Sequence, residues 1–153
     1  MDAIGQGHTP PPGKAAAPDA VSPPQAGVVS RPKRKGLCDW QYKRVSDYLD
    51  ERIDTPVRID DLAAQANLST SHFTRAFSIR LGMSPYSFIT KRRLERAQML
   101  ILSSKGQLAE VAFQCGLSDQ AHLNRLFQRY VGTSPARWRR ARLAEVGNSG
   151  YPD

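Results

Sequence analysis

Two short blocks set 50 positions apart hold most of the side chains in this sequence that could recognise a ligand. His72-Phe73-Thr74-Arg75-Ala76-Phe77, followed by Gly82, Ser84 and Pro85, is answered by His122-Leu123-Asn124-Arg125-Leu126-Phe127, followed by Gly132, Ser134 and Pro135. Each block seats an arginine beside a hydroxyl or an amide. A guanidinium pairs bidentately with guanine O6 and N7, and a Gln or Asn amide with adenine N6 and N7, so such residues on one outward face can read base edges. Other chemistries lack their parts. The two cysteines, Cys38 and Cys115, form no C-x-x-C pair, and the three histidines show no metal-ligand spacing. No nucleophile–base arrangement or phosphate-cradling Gly loop occurs, so the sequence reads as a non-enzyme with no metal or cofactor.

The blocks need elements to aim them. Upstream the match continues at an offset of 49: Leu68-Ser69 answers Leu117-Ser118, and Leu62-Ala63-Ala64 answers Val111-Ala112-Phe113. The second copy therefore carries one extra residue just after its turn. Each copy reads as helix, short turn, helix. Ile59, Leu62, Ala63 and Ala66 share one face of a first helix over residues 59–66, and Asn67-Leu68-Ser69 turns, with Ser69 as N-cap. Phe73, Ala76, Phe77 and Leu81 then fall on the inward stripe of a second helix. Gly82 stops it, and Ser84-Pro85 caps and opens the next. In the second copy Leu108, Val111, Ala112 and Cys115 face inward, Gly116-Leu117-Ser118 turns, and Leu123, Leu126, Phe127 and Tyr130 pack. Gly132 ends that helix, and Ser134-Pro135 starts a last one bearing Trp138. A longer helix over residues 86–103 joins the copies, with Ile89, Ala97, Leu100 and Ile101 on one face. No strand-like alternation appears there. The expected class is all-α, about seven helices in two homeodomain-like three-helix units.

In a helix–turn–helix the second helix enters the major groove, and residues near its N-terminus reach the bases. The positions left outward are Thr70, Ser71, Thr74, Arg75 and Ser78 in one copy, and Asp119, Gln120, Ala121, Asn124 and Arg125 in the other. The expected base readers are Ser71, Thr74, Arg75, Gln120, Ala121, Asn124 and Arg125, with Thr70 and Ser118 on phosphates. His72 and His122 sit beside packing positions and are expected to fix the turns. A connecting helix of about 18 residues spans ~27 Å, which approaches the ~34 Å between successive major-groove faces once the offset of the reading helices is added. Adjacent groove segments are thus within reach of one chain, and a rigid short connector would bend the duplex toward it.

Charge supports a polyanionic partner. The 153-residue chain holds 22 Lys+Arg against 14 Asp+Glu, a formal net charge of +8. It divides unevenly: residues 37–83 carry six basic and seven acidic side chains, whereas residues 84–142 carry eleven and three. Lys91, Arg92, Arg93 and Arg96 on the connector, with Arg137, Arg139, Arg140 and Arg142 near the end, are expected to anchor phosphates. A solvated helix face is the plainer reading of the same charges. Residues 1–36 hold seven Pro, five Gly and six Ala and no aromatic, a composition that cannot offset its ordering entropy, so a disordered tail is expected. It ends in the basic cluster Arg31-Pro32-Lys33-Arg34-Lys35, which suits phosphate contact, nuclear import or a mere solvated linker. The double helix–turn–helix unit is expected over residues 37–142, and a flexible tail over 143–153. No apolar run approaches the ~20 residues of a membrane span. No secretory signal is evident, so a cytoplasmic location is expected.

The stretch Arg93-Leu94-Glu95-Arg96-Ala97, then Val111 to Gln120, Phe127 and Gly132-Thr133-Ser134-Pro135, resembles the signature of the DNA-binding domain of the AraC/XylS family of bacterial transcription regulators. The resemblance covers about residues 39–140. It implies two helix–turn–helix modules joined by a long helix, binding double-stranded promoter DNA near RNA polymerase, most often as activators. Carried over by position, it puts base reading on Ser71, Thr74, Arg75, Gln120, Ala121 and Arg125; Ser71 and Ala121 are short for such places. Many members add an effector or dimerisation domain. Residues 1–36 are too short and Pro-rich for one, so no small-molecule effector is expected to bind within this chain. The competing reading is a sequence-neutral basic nucleic-acid-binding protein, which explains the charge but not the duplicated reading helices.

Overall fold

The computed structural model describes residues 34–148, and all that follows concerns those residues. They form seven helices and no strand: α1 Asp39–Glu51, α2 Ile59–Gln65, α3 Thr70–Leu81, α4 Pro85–Ser103, α5 Leu108–Gln114, α6 Gln120–Val131 and α7 Pro135–Asn148. The expected all-α class with two helix–turn–helix units is what the chain adopts. The disordered tail expected over 1–36 lies, up to residue 33, outside the described residues. At the other end the expected tail is partly helix, since α7 runs on to Asn148, although every side chain beyond Arg139 is exposed.

Helix ends follow from local chemistry. Ser69 Oγ accepts from the His72 N–H at 3.3 Å to cap α3, and Ser84 Oγ accepts from Ser87 at 3.1 Å with Pro85 at the first position of α4. Asp60 and Asp61 lie in the first turn of α2, where unpaired N–H groups favour negative charge. Gly82 and Gly132 terminate α3 and α6 at φ of 67° and 85°, in the left-handed region.

Two apolar cores result, and α4 serves both. Val45 and Leu49 of α1, Leu62 and Ala63 of α2, and Phe73, Ala76 and Phe77 of α3 close on Phe88 and Ile89 from the first turns of α4. The ring centroids of Phe77 lie 5.3 Å from those of Phe73 and of Phe88. Leu94, Ala97 and Ile101 from the rest of α4 meet Val111, Ala112, Cys115, Leu117, Leu123 and Phe127, with Trp138 of α7 edge-on to Phe127 at 5.6 Å. A connector whose own side chains fill both cores positions the modules as a rigid strut. The expected packing of Tyr130 is corrected: it is 46% exposed. Val131 takes the inward place instead, as Leu81 does in the first copy. Tyr130 lies with Lys91, Glu95 and Gln98 along the polar side of α4.

Candidate nucleic-acid interface

The turns before α3 and α6 are built alike from different residues. After α2 the chain turns left-handed at Asn67, φ 55°, and Leu68 N–H returns to the Ala63 carbonyl at 3.0 Å. After α5 the same place falls to Gly116, φ 70°, and Leu117 N–H returns to Ala112 at 3.0 Å. The extra residue of the second copy then shifts the cap: Asp119, not Ser118, accepts from the His122 N–H, at 2.7 Å. Asp119 remains exposed, with its Oδ1 engaged at the helix start. His122 fixes the turn as expected, its Nδ1 lying 3.1 Å from Ser118 Oγ. His72 does not follow; its imidazole stands exposed beside Arg75.

Of the expected base readers, Ser71 and Arg75 on α3 and Gln120, Ala121, Asn124 and Arg125 on α6 are exposed, and Thr74 is half-buried. The α3 face is internally tied. Thr70 Oγ1 donates to Asp60 Oδ1 at 2.6 Å, Thr74 Oγ1 to the Thr70 carbonyl at 2.8 Å, and Arg75 Nε to the Ser71 carbonyl at 3.3 Å. On α6 the side chains of Gln120, Asn124 and Arg125 have no hydrogen-bond partner among the described residues. Unspent donors on a capped, exposed helix face are what base-edge recognition requires.

The basic residues expected on phosphates differ in how far the fold engages them. Lys91, Arg137 and Arg140 are exposed. Arg93 and Arg139 are held by the fold instead. Arg93 Nε donates to the Ile53 carbonyl at 3.1 Å and its Nη2 to Thr55 at 2.8 Å, just past α1. Arg139 Nε donates to the Ile101 carbonyl at 2.8 Å, with Nη2 3.3 Å from the Ser104 carbonyl, at the end of α4. In each module the helix following the reading helix thus sends back one arginine to satisfy the carbonyls that precede the helix–turn–helix. Burial lowers the pKa of Arg93. Arg92 pairs with Asp50 of α1, Nη2 to Oδ1 at 2.6 Å, and this hydrogen bond raises its pKa. Arg96 has a buried Nε with no partner among the described residues. The sequence marks all of these only as basic; the carbonyls past α1 and at the end of α4, and the Asp50 carboxylate, reveal which are committed.

Gly116, a turn residue by sequence, is also a junction between the modules. A Cβ there would lie 2.5 Å from the Ile53 carbonyl oxygen and 3.1 Å from Arg93 Nε and Cζ, so the turn of the second module touches the end of α1 in the first. Cys115 beside it is fully buried, and burial pushes its thiol pKa up to about 11. Among the described residues no cluster of His, Cys, Asp and Glu could hold a metal, and no helix is long and apolar enough to cross a membrane.

Residues 62–141, more than half of the chain, match the family described as "Helix-turn-helix domain". The chain is 31% identical over 107 residues to the HTH-type transcriptional regulator MtrA of Neisseria gonorrhoeae, covering 68% of this chain and 36% of that protein. It therefore spans little more than a third of that relative's length. The DNA-binding domain of the global transcriptional factor AdpA, solved in complex with a target DNA, has a TM-score of 0.65 at 30% identity, covering 71% of this chain and 96% of that one. An AraC-type transcriptional regulator from Chromobacterium violaceum, 22% identical, shares the fold at a TM-score of 0.63 over 67% of this chain and 91% of that one. Matched in sequence over both modules and in fold over the strut between them, the chain belongs to the AraC/XylS-type helix–turn–helix family.

Proposed function

We propose that the protein is a sequence-specific transcription regulator, acting as an activator, that inserts α3 and α6 into successive major-groove segments of promoter DNA. The observation that carries this reading is the duplication of a capped, exposed helix on either end of one shared strut. Ser71, Thr74 and Arg75 face one block of bases and Gln120, Ala121, Asn124 and Arg125 the other. Lys91, Arg137 and Arg140 hold phosphates, supplying affinity that falls steeply with salt while the helix faces supply sequence choice. Arg93 and Arg139 leave this set, because their donors serve backbone carbonyls. Thr70, engaged with Asp60, and Ser118, engaged with His122, retain a free oxygen lone pair but no unengaged hydroxyl role as strong as the exposed cations. The 19 residues of α4 span about 28 Å, so the duplex bends toward the protein to bring two groove faces within reach. The relative solved with its target DNA supports the class of partner. RNA polymerase at the promoter is the protein partner that activation requires, and the bacterial cytoplasm the place of action.

The test is competition. Full-length protein bound to labelled promoter fragments is challenged with unlabelled scrambled duplex at fixed salt. Specific regulators discriminate by roughly 10³-fold or more. Equal competition by scrambled DNA would replace this reading with the sequence-neutral one.

A further inference from the structure

Arg34 and Lys35, the described end of the basic cluster, have no part in the reading above, yet the structure places both. Leu37 is buried in the first core at 4% exposure. Its N–H donates to the Ala76 carbonyl of α3 at 3.2 Å, and its own carbonyl accepts from Arg80 Nη1 at 2.8 Å. Arg80 is itself braced, with Nη2 2.8 Å from Asp39 and its guanidinium 4.8 Å from the centre of the Tyr42 ring. At Gly36 the chain runs so close to α3 that a Cβ would lie 3.2 Å from the Arg80 backbone nitrogen. Residues 34–36 are therefore laid against α3. Arg34 and Lys35 consequently stand with His72, Arg75, Ala76 and Ile79 around one open hollow of about 370 Å³.

That lining holds three permanent cations and an imidazole and no carboxylate. Cations gathered at one place repel each other unless an anion offsets them. The shape of the site matters as well: it is an open surface depression against α3, lined there by His72, Arg75, Ala76 and Ile79. The charge balance points the same way. Residues 37–83 carry a net −1, so the first module lacks the cations that the second has in excess. We infer that Arg34 and Lys35, beside the base-facing Arg75, form a binding site for the DNA phosphate backbone bordering the groove that α3 enters. The inference rests on the reading of α3 as a DNA-contacting helix. It gives the first module its own phosphate anchor, and it makes Arg80 a positioning residue that aims the arm through Leu37.

The experiment uses the full chain, a duplex carrying a selected site, and fluorescence anisotropy between 50 and 300 mM KCl. For Arg34→Ala/Lys35→Ala, removal of two phosphate contacts makes the slope of log affinity against log salt shallower by about 1.8. Preference for the site over scrambled DNA is retained. Lys43→Ala, which removes one cation from an exposed pair with Asp47 on α1, leaves the slope unchanged and controls for net charge alone. Arg80→Met keeps both arm cations but releases Leu37, and weakens site binding with a smaller change of slope. A double variant with wild-type slope and affinity overturns the inference, as does a loss matched by Lys43→Ala. Wild-type protein that shows no salt-sensitive DNA binding at all overturns instead the DNA-contacting reading on which it stands.

Discussion

Substituting Gly116 by alanine probes the junction that sets one module against the other. Two effects combine there. The residue sits at φ 70°, where an L side chain costs roughly 1–2 kcal/mol. The added Cβ would also stand 2.5 Å from the Ile53 carbonyl oxygen, a contact that backbone must relieve by moving. Overpacking of this kind costs typically about 1–3 kcal/mol. Moving Ile53 further disturbs the acceptor of Arg93 Nε, now 3.1 Å away. Gly116→Ala is therefore expected to destabilise the protein by roughly 2–5 kcal/mol. Gly82 provides the control: its φ is 67°, but nothing lies within 4 Å of an added Cβ, so Gly82→Ala carries only the conformational part. Urea unfolding followed by circular dichroism and by fluorescence reads both, with Trp40 on α1 and Trp138 beside Phe127 reporting one module each. Equal destabilisation by the two alanines would refute the junction.

Four further substitutions separate the roles assigned above. Arg125→Ala is expected to weaken specific binding by ~1–3 kcal/mol and to relax preference at one base pair; a loss uniform over all duplex sequences contradicts its role as a reader. Arg93→Ala strips the Ile53 and Thr55 carbonyls of their donor, lowering stability by about 1–3 kcal/mol with little change in salt slope. Lys91→Ala, on an exposed position, does the opposite and flattens the slope by about 0.9, and a reversed pattern in urea and salt titrations contradicts the division of the arginines. Folding raises the Cys115 pKa from 9.0 to about 11, so its contribution is intact below pH 9 and is lost as pH rises toward 11. Cys115→Ala should remove that part of the alkaline decline, while in native wild type at pH 8 a thiol reagent should find only exposed Cys38; two fast thiols would mean the second core is open.

Much of the fold was legible because the repeat appears in types that have one local meaning. Glycine past a helix end, Ser-Pro at the next start and an inward stripe of Phe73, Ala76 and Phe77 each dictate local geometry without distant partners. Where tertiary context decided, the sequence was silent or misleading. Tyr130 lies at an angle that fits the stripe, but at the helix end it meets the polar side of α4 and stays half-exposed. Asp119 reads as an outward residue until the extra residue of the second turn makes it the cap. Arg93, Arg139 and Arg140 are indistinguishable by type; the first two find carbonyls past α1 and at the end of α4, and the third stands exposed. The reading faces of α3 and α6 were legible by elimination, as the positions the cores do not use.

Selection from random duplex DNA with the full-length chain, read by sequencing, bears most directly on the claim that both modules read sequence. The account predicts an asymmetric site of about 20 base pairs with two preferred blocks one helical turn apart. A single enriched block, or salt-sensitive binding with no enrichment, would contradict it.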